Sequence, residues 1–153
     1  MNNKGQLSLE YVFIFMLTLI IFSIISIPLF IESIENTNDI INVVKTENTL
    51  NELSSEVKYI YYSDIGTKKV KDIYIPSDMK LEYKLKSSKH YLYTKVKLND
   101  NNTKEIYVEV PCKVTFKNNP NYYYSNLYNR YYYNVEFKWL EGNKTSNVDI
   151  NFK

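Results

Sequence analysis

The chain has 153 residues with 19 basic and 17 acidic side chains, a formal charge of +2, one cysteine and one histidine. That length bounds it to one modest domain and an appendage, and the near balance of charge argues against a strongly basic nucleic-acid binder. The single Cys112 excludes an internal disulfide, a CxxC redox pair and a cysteine-based zinc site, and the single His90 excludes metal sites needing two imidazoles.

The apolar residues are concentrated at one end. From Tyr11 to Ile31 the sequence YVFIFMLTLIIFSIISIPLFI holds 21 residues without a charge. As a helix it would extend about 32 Å, enough for a bilayer core. It contains no Ala and ends Ile-Pro-Leu-Phe-Ile-Glu, which offers no A-x-A-like cleavage site, so a cleaved secretory signal is not expected. Lys4, the one charge ahead of the run, favours a cytoplasmic N-terminus and an outward C-terminal domain. Glu10 sits at the start of the run. Such a carboxylate is either a membrane-interface marker or a functional group awaiting a partner.

Lys4-Gly5-Gln6-Leu7-Ser8-Leu9-Glu10, followed directly by the apolar run, resembles the class III signal peptide of archaeal type IV-like pilins. In that family a membrane-embedded aspartic prepilin peptidase cuts after the Gly, on the cytoplasmic side. The resemblance implies a processing site between Gly5 and Gln6, with Gln6, Ser8 and Glu10 as the Q-x-S-x-E core of the motif. The leader is shorter than many in the family. A looser likeness to pilin-type proteins of methanogens runs from Ile65-Gly66-Thr67 to Ile73-Tyr74-Ile75-Pro76. In a filament built by bundling such helices, Glu10 facing a neighbour's Gln6 amine would set register. If Gln6 cyclises to pyroglutamate, Glu10 must be hydrogen-bonded or protonated instead.

Downstream, Pro28 can kink the helix or mark a membrane exit. From Glu32 to about Tyr61 there is no Gly or Pro, and Val43, Leu50, Leu53, Val57 and Ile60 fall on a heptad-like stripe. This predicts a long helix, amphipathic in its second half, with an interruption near Asn36–Asp39. Gly66 ends the helical region, and the period then changes to two. Strands are predicted over Val70–Ile75, Lys80–Lys86, Tyr91–Leu98, Ile106–Val110, Lys113–Lys117, Tyr131–Leu140 and Val148–Phe152, with Asn118–Asn129 a polar, Tyr-rich loop. The expected fold is α+β: a long apolar N-terminal helix, continuing into an amphipathic helix packed on a small antiparallel β domain, as in type IV pilins. The expected divisions are a leader 1–5, an apolar transmembrane or filament-core helix 6–31, an amphipathic helix 32–62 and an extracellular β-rich domain 63–153.

The remaining chain offers little for catalysis. Its three glycines form no G-x-G phosphate loop, and no catalytic residue, cofactor or metal is expected. Sixteen tyrosines, grouped at Tyr59-Tyr61-Tyr62, Tyr122–Tyr124 and Tyr131–Tyr133, suit contact surfaces. They also suit strands in a composition skewed toward Ile, Lys, Asn and Tyr, and that skew favours the second reading. Lysines and carboxylates interleave, so nucleic acid is not expected as a partner. Asn101-Asn102-Thr103 and Asn143-Lys144-Thr145 are N-glycosylation sequons in predicted turns. Cys112 reads as a buried small hydrophobe and His90 as a turn residue.

The resemblance implies a non-enzymatic pilus subunit, major or minor, made as a membrane precursor and assembled with other pilin subunits into an extracellular filament that serves surface adhesion. The alternative is a membrane-anchored pseudopilin or surface-binding protein that does not polymerise. A third class, an ordinary signal-anchored protein, would be uncut at Gly5 and indifferent to Glu10.

Overall fold

The computed structural model describes residues 3–117, 121–140 and 147–153, with side chains from Leu9 onward except those of Arg130 and Tyr131. The chain divides into two compact units, Met1–Asn38 and Asp39–Lys153. Helix α1, Asn3–Tyr61, contributes residues to both. Over residues 3–38 the structure is this helix alone, with large apolar side chains exposed from Leu9 to Ile34.

In place of the expected interruption at Asn36–Asp39, α1 is continuous there, and it also continues through Pro28. Proline removes one intrahelical hydrogen bond, a loss confined to one turn of 59 residues. The hydroxyls in this segment do not compete with the helix either. Thr18, Ser23 and Thr37 each donate to the carbonyl four residues back, at 2.7–2.8 Å, the local bond by which Ser and Thr are accommodated inside helices.

The unit Asp39–Lys153 wraps two four-stranded sheets around the second half of α1. The strands are β1 (Lys68–Ile75), β2 (Met79–Lys86), β3 (Lys89–Lys97), β4 (Thr103–Val110), β5 (Lys113–Phe116), β6 (Tyr124–Leu127), β7 (Arg130–Leu140) and β8 (Asn147–Phe152). One sheet has the order β1-β7-β8-β5 and the other β4-β3-β2-β6. The stripe read from sequence is the helix's contribution to the core: Leu50, Leu53, Val57 and Ile60 are buried and Val43 is half-buried against them. They pack with Ile73, Leu81, Leu92, Val114, Phe116, Val135, Phe137 and Ile150 from both sheets.

Two details of the β region depart from expectation. β6 lies inside the predicted loop 118–129, because Ser125 and Leu127 alternate inward while Tyr124 and Asn126 face out. The sheet built on β1 is mixed: β5 and β8 pair in parallel, Lys113 opposite Asn147 and Phe116 opposite Ile150. Side-chain alternation is the same in parallel and antiparallel strands, so the pattern carried no record of direction.

Polar contacts seat α1 between the outer edges of the two sheets. Thr49 Oγ1 donates to the Tyr74 carbonyl of edge strand β1 at 3.1 Å, and Ser54 Oγ to the Glu109 carbonyl of edge strand β4 at 2.8 Å. Asp39 accepts the Asn99 backbone N–H at 3.0 Å in the β3–β4 connection. Glu56, largely buried, meets Lys69 at 2.6 Å and Lys71 at 3.0 Å, and Glu52 meets Lys71 at 2.8 Å. Burial raises the Glu56 pKa, but the hydrogen bonds and charges of Lys69 and Lys71 together outweigh it and hold the carboxyl below its usual range.

The β2–β3 hairpin closes on Ser87 and Ser88 at φ +50° and +63°, with Lys86 paired to Lys89. A two-residue turn with both centres left-handed matches the twist of the strands. Beyond α1, Gly66 at φ +89° makes the turn into β1 with open space where a Cβ would stand.

A carboxylate whose folded-state pKa is lowered stabilises the fold above its unfolded-state pKa, and that contribution is lost as pH falls through the folded value. Glu56→Gln is therefore expected to cost about 1–3 kcal/mol at pH 7. Thermal melts of the detergent-solubilised chain should show the gap between variant and parent closing as pH falls below the carboxylate range. A gap independent of pH would show that charge plays no part.

Candidate processing and assembly segment

The motif residues Gly5, Gln6, Ser8 and Glu10 all lie on α1. The side chains of Gln6 and Ser8 are outside those described. Glu10 is exposed and is followed by an almost continuous apolar surface; Tyr11, Phe13, Phe22 and Phe30 are each 64–70% exposed. The most apolar 18-residue window has a mean hydropathy of 2.7, and none of it is buried in the chain's own fold. A soluble core helix buries its apolar face. This one has nothing of its own to bury against, so its surface suits lipid or other helices.

Residues 3–29 match the model of the class III signal peptide family. This N-terminal segment is therefore similar to a class III signal peptide. The match spans the motif and most of the apolar run, and it fits a type IV-like pilin. No curated protein and no solved structure matches the chain. The family points to a structural, prepilin-peptidase-processed role rather than to an enzyme, and to a membrane-anchored precursor.

The other sequence candidates are separate from this segment. Asn101 is exposed in the β3–β4 connection at φ +63°, where its N–H donates to the Leu98 carbonyl and the Asp100 carboxylate accepts from the Asn102 N–H. Asn143 lies outside the described residues. Tyr122, Tyr123, Tyr124, Tyr128 and Tyr132 are 39–65% exposed, whereas Tyr133 is buried and accepts the Tyr128 N–H. The grouped tyrosines thus divide between surface and core.

His90 shares a hydrogen bond between Nδ1 and the Tyr83 hydroxyl at 2.6 Å. Among the described residues no group of three or more His, Cys, Asp and Glu side chains could hold a metal ion.

Sequence reading did not find the carboxylate relay on the outer face of the β4-β3-β2-β6 sheet. Glu105 accepts from Tyr93 Oη at 2.8 Å and Tyr107 Oη at 2.9 Å and meets Lys95 at 3.0 Å. Donation from Tyr93, then from Lys95 and Tyr107, pulls its pKa down to about 2. Strand alternation put all four side chains on one face, but their cross-strand register was not legible. Tyr93 pairs with Tyr107, and Lys95 with Glu105.

Cys112 is buried, and burial pushes its thiol up to about 12 against the opposing hydrogen bond of the Val148 backbone. Thiolate is the reactive form. Iodoacetamide at pH 8 should leave Cys112 unmodified in the folded chain and alkylate it in denaturant, read by peptide mass; rapid modification of the folded chain would contradict this burial.

Proposed function

We propose that the chain is a subunit of a type IV-like filament, cut between Gly5 and Gln6 by a prepilin peptidase on the cytoplasmic side and assembled through its N-terminal helix. The observation that carries this reading is the class III signal peptide abutting an apolar helix surface with no cover in its own fold. In this reading 1–5 is the leader, 6–31 the membrane and filament-core helix, 32–62 the amphipathic helix and 63–153 the outward domain. The exposed tyrosines provide surface for adhesion, and Asn101 and Asn143 are the glycosylation sites.

Hydrolysis of the Gly5–Gln6 peptide bond would remove Lys4 and free the Gln6 amine while keeping the whole apolar run. The new end concentrates positive charge, because the amine adds to the positive pole of the helix macrodipole. Glu10 then stands one turn inside that end, with its negative charge facing apolar surroundings. An unpaired carboxylate there is costly, and a neighbouring copy's amine is the compensating group the mature chain supplies. Sliding one copy along another until the two charges meet fixes their stagger, while the apolar surfaces exclude lipid and water around the pair.

Peptide mass of the protein from its native cells should give a chain beginning at Gln6 or its cyclised form, and Gly5→Val should retain MNNKG. Extra mass on Asn101 or Asn143 would establish their modification in the same spectra. A native chain retaining MNNKG, or a Gly5→Val chain of unchanged mature mass, would overturn the processing site.

Glu10→Ala and Glu10→Gln should each lower incorporation into sheared filaments by at least about tenfold, since an unpaired buried charge costs several kcal/mol. The melting of the β domain should stay at the parent value. Correct processing without any sedimentable polymer would instead favour the pseudopilin alternative.

A further inference from the structure

Charge is segregated along this chain in a way that neither the signal peptide nor the helix bundle uses. Between Gln6 and Tyr61 the sequence holds seven carboxylates and two lysines, and after Tyr61 sixteen cations and ten carboxylates. Part of this imbalance is settled internally, since Glu52 and Glu56 take Lys69 and Lys71 and Asp39 takes the Asn99 N–H. Glu32 and Glu47 are exposed and have no lysine partner among the described residues. The Glu32–Glu47 stretch of sequence holds four carboxylates and one lysine, Lys45.

The basic counterpart is the outer face of the β4-β3-β2-β6 sheet. Alternation on β2 and β3 places Lys80, Lys84, Lys86, Lys89, Lys95 and Lys97 there, against Glu82, Glu105 and Glu109. Glu82 is shared by Lys80 at 2.8 Å and Lys84 at 3.7 Å, while Glu105 and Glu109 are taken by Lys95 and Lys89. Lys86 and Lys97 have no carboxylate partner among the described residues. Several rings on this face carry a cation, with Lys84 Nζ 3.3 Å from the Tyr93 centroid, Lys80 Nζ 4.5 Å from that of Tyr124 and Lys86 Nζ 5.6 Å from that of Tyr107. The six lysines against three carboxylates leave this face with a surplus of ammonium groups. The complementary carboxylates are carried in equal number by every other copy of the same chain.

We propose that the lysine face of this sheet docks the acidic stretch Glu32–Glu47 of a second copy. The inference builds on the filament reading, in which identical chains lie side by side. It adds a second, polar contact, distinct from the apolar bundle and from the Glu10 pairing. Because the contact lies between surface charges, salt screens it. The bundle, being apolar, is not weakened in this way.

The test is carbodiimide cross-linking of full-length protein in native membranes and in sheared filaments from cells grown as a mixture of light-isotope and heavy-isotope copies. Amide links that join Lys80, Lys84 or Lys86 of one isotope to Glu32, Glu35 or Glu47 of the other are expected. Their yield should fall at least about threefold at 1 M salt, where the screening length is about 3 Å. Lys80→Glu with Lys86→Glu should suppress filament recovery, and adding Glu32→Lys with Glu47→Lys should restore it, a rescue that misfolding would not give.

Links confined to single copies, or mixed links that bypass the Glu32–Glu47 stretch, would overturn the proposal. So would protection of these lysines without any link between copies, as by a bound polyanion. Filaments that form normally without the mixed links would sink this inference and leave the filament reading intact. Mixed links in membranes from cells that make no filament would do the reverse.

Discussion

Two β-sheets with open edges present rows of unpaired backbone groups that the fold must satisfy or shield. Here the helix does both at once. It enters between β1 and β4, the outer edges of the two sheets, and gives each a hydroxyl: Thr49 to the Tyr74 carbonyl, Ser54 to the Glu109 carbonyl. The same turns carry Leu50, Leu53 and Val57 into the core. Apolar filling and edge satisfaction therefore come from neighbouring residues of one helix and share a single register. A one-residue rotation of α1 would move the hydroxyls off the edges and the leucines out of the core together. The salt links of Glu52 and Glu56 to β1 reinforce the same placement from the charged flank.

The first half of the helix obeys a different requirement. It has no fold of its own to enter, and its sequence answers with uniform apolarity, hydroxyls turned back onto the helix and a single carboxylate at the start. A sequence with one heptad-like stripe throughout would have been a poor membrane segment, and one apolar all round throughout would have left the β domain insoluble. The change of pattern after Glu32 records the change of surroundings. The chain consequently carries an apolar section, an acidic section and a basic sheet face, in a fixed order.

Much of this could be read from the residues because the dominant signals are local. The class III motif is contiguous, the apolar run is long, and the Leu50–Ile60 stripe and the two-residue alternation of β1 to β4 identify their own faces. A turn between Lys86 and Tyr91 was legible, but the structure narrows it to Ser87–Ser88 and puts His90, read as a turn residue, in β3 opposite Leu85. The turn's left-handed geometry without Gly or Asn was not legible. What stayed hidden depends on partners distant in sequence. Nothing in Lys113–Phe116 says that its neighbour is β8, or that the two run parallel. β6 was masked by the polar, tyrosine-rich residues around it, since only Ser125 and Leu127 face inward. The Asn36–Asp39 cluster misled in the other direction, because polar helix-weakening residues lower local propensity without obliging a long helix to break. The role of Thr49 and Ser54 was invisible for the same reason as the parallel pair: a hydroxyl in a stripe does not announce which strand edge it will meet.

The placement of β8 has a consequence for how the chain acquires its structure. β8 follows every other strand in order of synthesis, yet it lies between β7 and β5 in its sheet, and β5 has no other strand neighbour in that sheet. β5 must wait, unpaired, until β8 has been made. The hairpin of β2 and β3 can close as soon as its own residues emerge, whereas the β1-β7-β8-β5 sheet cannot assemble in steps from its N-terminal side. A nascent chain therefore holds one sheet able to form early and another kept open to the last strand. Long-range closure of this kind is intrinsically slow, and it gives the newly made chain an interval in which its second sheet is still incomplete.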